Sequence, residues 1–138
     1  MRREDWAERL VELVEARRDT PFEWGSHDCA LFAADCVVAM TGVDHAADFR
    51  GAYTSARGAM DALGQRGLDG LLDDIFPRID PGFMQRGDIC AVARDAAARA
   101  HELELALGVC LGLQVAVPGV DGLQFIPSRR ALHAWRVE

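Results

Sequence analysis

Cys29 is the side chain whose type and placement could do chemistry. It follows Asp28 and begins the apolar run CALFAADCVVAMT, in which Asp35 is the one charge. Asp28 has the side chain of a helix N-cap and Gly42 that of a helix stop, so the spacing predicts a buried helix beginning at Cys29. A thiol in the first helical turn meets unpaired backbone N–H groups and the positive end of the helix dipole, and both favour the thiolate. The same N–H groups could stabilise an oxyanion after attack on a carbonyl. The plain alternative is a small packed hydrophobe, the commoner fate of a buried cysteine. Nucleophilic use needs a base within hydrogen-bond reach. Of the four histidines, His27 is the nearest in sequence; His45, His101 and His133 lie further off.

The rest of the chain supplies elements to position that helix. Residues 3–18 predict an amphipathic helix, with Trp6, Leu10, Leu13 and Val14 on one face and most glutamates on the other. TPFEWGSHD is turn-forming. Residues 43–53 read as an irregular connection. Thr54 or Ser55 then caps a helix using Ala56, Ala59, Met60 and Leu63, which Gly67 stops, and Leu68, Leu71, Leu72 and Ile75 suggest another turn or two. PRIDPGFMQRGD reads as a loop, ICAVA as a strand, and residues 94–102 as a polar hairpin connection or short helical turn. LALGVCLG, LQVAVPG, GLQFIP and HAWRV are short runs parted by turn residues, as antiparallel strands should be. Helices first and strands later predict one α+β domain over residues 1–138, its N-terminal helices packed on a C-terminal antiparallel sheet of about four to six strands.

Composition narrows the function classes. A formal net charge of −7 gives nucleic-acid binding little support. The N-terminus MRREDWAERL has no secretory signal, and nothing approaches a membrane-spanning run. The four cysteines contain no C-x-x-C pair, so reduced thiols are expected, with neither a metal site nor a cofactor.

In order, the motifs TPFEWGSHDCALF, QRGDICAV and LALGVCLG resemble the NlpC-type cell-wall peptidase superfamily. Its pattern runs Thr-Pro-Tyr, aromatic-Gly, Asp-Cys-Ser-Gly, then Pro-Gly-Asp before a strand, then His-Val-Gly-Ile-Tyr-x-Gly. The resemblance covers residues 20–42 and 86–112 and is nearest to a small phage- and prophage-associated branch with WG, DCALFAAD, LGVCLG and a final AWRV. It implies a papain-like fold with Asp28 and Cys29 at the family's Asp-Cys. Two functional positions depart from the pattern. Phe22 stands where the family's tyrosine hydroxyl would be, and Ala106 where its histidine would act as base. The resemblance therefore implies a degenerate peptidase fold serving as a structural module of a phage or prophage tail, with other tail proteins as partners. The alternative is a cysteine hydrolase of peptidoglycan peptides or another amide, with Cys29 as nucleophile and His27 as a substitute base. The expected location is the virion or the bacterial cytoplasm.

Strand alternation puts Ala106, Gly108 and Cys110 on one face of LALGVCLG. If position 106 faces the Cys29 helix, these small residues let the helix sit close to the sheet. Asp35 is expected to hydrogen-bond loop backbone or an arginine such as Arg50 or Arg57. Trp24, Phe22 and Trp135 could wall a ligand groove or complete the core.

Overall fold

A computed structural model describes residues 1–93 and 105–138. Among the described residues four α-helices precede the whole sheet: α1 (Trp6–Arg17), α2 (Cys29–Thr41), α3 (Ala56–Leu63) and α4 (Gly67–Ile75). The strands are β1 (Arg78–Ile79), β2 (Ile89–Ala93), β3 (Leu105–Cys110), β4 (Gln114–Pro118), β5 (Leu123–Pro127) and β6 (His133–Trp135). They form one antiparallel sheet in the order β1-β6-β2-β3-β4-β5. The expected α+β architecture is therefore observed. The polar stretch 94–102 expected to be a hairpin connection or a short helical turn, with His101, lies outside the described residues.

Local chemistry explains α2 well. Asp28 is extended and its carboxylate accepts the Leu31 N–H, while Gly42 takes the left-handed conformation (φ 82°) that ends the helix. Eight of its side chains are buried, among them Leu31, Phe32, Cys36 and Met40, as a helix apolar on every side requires. Asp35 is tied by Arg17 and Arg50, each at 2.8 Å; Arg57, the other expected partner, has no ion pair among the described residues.

Three expectations need correction. Ser55 caps α3, but the helix stops at Gly64, and Gly67 opens α4 instead of closing α3. Both glycines have positive φ (70° each), so each breaks a turn where a side chain would be strained. The stretch read wholly as a loop contains β1, which pairs with β6 through Arg78↔Trp135 and Ile79↔Ala134. Two residues of strand carry too little alternation to be seen in sequence.

The third correction concerns which face of β3 lies beneath α2. Pairing places Trp135, Ile89, Val109, Ala116 and Phe125 in one row across five strands, hence on one face. At one end of the row Trp135 donates its indole N–H to Asp73 of α4 at 2.8 Å; at the other, Arg18 at the end of α1 lies over the Phe125 ring. Ile89 and Leu107 line a cavity together with Ala33 and Val37 of α2. The Leu105–Leu107–Val109 face thus meets the helices, and Ala106, Gly108 and Cys110 point to the opposite side. Their small size answers to β4 instead. A Cβ on Gly108 would stand 2.4 Å from Val115 Cγ1 and 2.8 Å from Val117 Cγ2. Cys110 is buried there, its thiol 3.4 Å from the Gly112 carbonyl.

Candidate functional site

The loop before α2 brings four sequence-predicted residues close together, although not into one site. Asp28 is 1% exposed, and its carboxylate works as a three-way acceptor. One oxygen takes the Leu31 N–H at 2.9 Å; the other takes the Gly25 N–H at 3.0 Å and the Tyr53 hydroxyl at 2.8 Å. Gly25 is needed for this turn. Its φ is 84°, and a Cβ would sit 2.1 Å from the Tyr53 carbonyl oxygen. Asp28 therefore locks the tight turn, the start of α2 and the connection after α2 to one another.

Tyr53 is the residue that sequence reasoning missed. It is the chain's single tyrosine, 25 positions after Asp28. Burial first, and then the Asp28 carboxylate, hold its phenol well above the ordinary value, so it stays protonated and donates. Where the NlpC-type pattern has its tyrosine this chain has Phe22, whose N–H bonds the Gly119 carbonyl at 3.1 Å and whose ring meets Trp24 edge-on at 4.7 Å. A tyrosine hydroxyl is present near Cys29, but it comes from another segment and is committed to Asp28. Tyr53→Phe should cost about 1–2 kcal/mol, since one buried carboxylate lone pair loses its donor. Urea unfolding of the two proteins measures this.

Cys29 is 4% exposed and lines a cavity of about 70 Å³ that opens partly to solvent, where His45 is exposed. Trp24, Asp28 and Tyr53 share that end of the cavity, which continues between α2, α3, α4 and the sheet to Ile75 and Phe76. Of the three aromatics expected to wall a groove or complete the core, Trp24 lines this cavity, Phe22 does not, and Trp135 is fully buried in the core. His45 also lines the cavity, at its far end, with its ring 5.3 Å from Phe76. Val37, beside His45, is eight residues along α2 from Cys29, roughly 12 Å at the usual helical rise.

His27 lies elsewhere. Its Nδ1 is 3.3 Å from the Arg17 guanidinium, its ring meets Phe32 at 5.7 Å, and it is not among the cavity-lining residues. Its Nε2 is buried with no hydrogen-bond partner among the described residues. Burial, and next the Arg17 charge, lower its pKa; Asp35 and Asp28 oppose this but do not prevail. The ring is thus neutral at pH 7 and belongs to the Arg17–Asp35 network. The sign of the pH effect follows. Above the unfolded value of about 6.5 both states are neutral and the full stability is present. As pH falls below that value the unfolded chain takes the proton first, so stability declines. Between pH 7.5 and 5.5 the urea midpoint should fall, and His27→Gln should flatten that fall.

The remaining thiols are packing groups. Burial, then Asp35, pushes the Cys36 thiol far above its usual range, and burial, then Cys110 and Asp88, pushes Cys90 up to about 12. No cluster of His, Cys, Asp and Glu among the described residues could hold a metal ion. No helix of the described residues is long and apolar enough to cross a membrane.

A family model described as a domain of unknown function, DUF6950, matches residues 1–137. No curated protein matches the chain.

Proposed function

We propose that this chain, which belongs to the DUF6950 family, is a degenerate NlpC-type, papain-like domain serving as a structural or binding module of a phage or prophage tail. Support for the scaffold is the helix opened by Asp28-Cys29 and packed on an antiparallel sheet. The observation that carries the non-catalytic reading is position 106. The NlpC-type resemblance puts a general base there, and this chain has a buried alanine, which can move no proton, while His27, the nearest imidazole in sequence, stands outside the Cys29 cavity. Asp28, in turn, is occupied with three structural bonds.

A cysteine hydrolase remains the second reading. Cys29 sits in the first turn of α2, and the Tyr53 hydroxyl is bonded to the residue beside it. Those are two of the parts that an acyl-transfer site uses. The missing part is a group to deprotonate the thiol and protonate the leaving amine, whose loss usually removes several orders of magnitude in rate.

Co-expression with phage tail proteins tests the module reading. A stable complex should form equally with the native chain and with Cys29→Ala. Absence of any complex, or a complex that needs the Cys29 thiol, would overturn it.

A further inference from the structure

We infer that the cavity beside Cys29 is a binding site for a small neutral amphiphile with a short hydrocarbon tail. The inference stands apart from the tail-module reading, because it rests on the cavity alone. Its volume of about 70 Å³ is several times the roughly 10–15 Å³ that one water needs. Water would find few partners there, since most of the wall is Ala33, Val37, Leu68, Leu72, Ile89, Leu107 and similar side chains. Walls of this kind favour apolar guests over water.

The shape comes from small residues in a row. Ala30, Ala33 and Ala34 on α2 and Ala59 on α3 leave space between two helices that larger side chains would close. Polarity is confined largely to the two ends, and the near end carries Asp28 and Tyr53. That end selects the head group. An anionic head would face the Asp28 carboxylate across a low-dielectric space, whereas a hydroxyl or amide could hydrogen-bond beside it. The tail should lie along α2, each buried methylene strengthening binding roughly fourfold until the cavity is full.

The test uses the whole chain with labelled Leu and Ile methyl groups, and 1-butanol as the probe. Saturable shifts are expected at Leu72, Ile89 and Leu107. Butyrate and 1,4-butanediol should bind at least about tenfold more weakly, the first for its charge and the second for its polar tail end. Ala34→Leu, which fills the space, should abolish the shifts. Ala59→Val fills it from α3 and serves if Ala34→Leu does not fold. Lack of saturation with 1-butanol would overturn the inference. So would equal binding of butyrate, or unchanged shifts in a folded cavity-filling variant.

Discussion

Asp88→Ala should destabilise the protein by about 3–5 kcal/mol, a large share of the total for a domain of this size. Asp88 is fully buried just before β2, yet four donors converge on its carboxylate. Arg2 reaches it at 3.2 Å and Arg136 at 3.1 Å, and the N–H groups of Gln85 and Val137 at 2.9 and 3.2 Å. One side chain thus ties both chain ends to the turn that enters the central strand. Removing it leaves two guanidinium groups facing one another and two amides without their acceptor. Arg2→Ala should cost less, because Asp88 would keep Arg136 and the two amides as donors. Urea unfolding of the three proteins measures the order. Equal costs for Asp88→Ala and Arg2→Ala would show that the carboxylate does not organise the junction.

The second large effect is expected at Asp28, for which Asp28→Ala should cost about 3–5 kcal/mol. A lost N-cap alone accounts for about 1 kcal/mol. The larger figure arises because the Gly25 N–H and the Tyr53 hydroxyl are orphaned at the same time. Asp28→Asn should cost about half as much. Its amide oxygen can keep the Leu31 bond, but its NH₂ group faces Gly25 N–H, which is also a donor. A double-mutant cycle with Tyr53→Phe should show coupling of about 1 kcal/mol, since the two share a hydrogen bond. Additive costs would mean that the Tyr53–Asp28 bond contributes nothing to stability.

How much was legible in the sequence differs from element to element. Helix α2 was readable throughout, because its cap, its apolar run and its glycine stop all act locally. The strands after residue 104 were readable from their turns for the same reason. Their facing was not. Alternation divides β3 into a leucine face and a small-residue face, but which meets the helices depends on register with β2, β6 and β4. Small residues suggested a close helix; in fact they make room for Val115 and Val117 from the neighbouring strand. Asp35 announced its need for a cation, yet sequence named only Arg50 among its two partners, since Arg17 arrives from α1. Tyr53 gave no signal at all. Its partner lies 25 residues earlier, and an irregular connection has no period to place it.

On the proposed reading the Cys29 helix is kept for its architecture and not for turnover. The most direct measurement is hydrolysis of a peptidoglycan stem peptide by the native protein and by Cys29→Ala, followed by chromatography of the products. No product above the uncatalysed background is expected from either protein. The same is expected of Ala106→His, whose imidazole would leave β3 on the face opposite Cys29, if the reading holds. Turnover by the native protein that disappears in Cys29→Ala would contradict it, and loss of that turnover in His27→Ala would then identify the base.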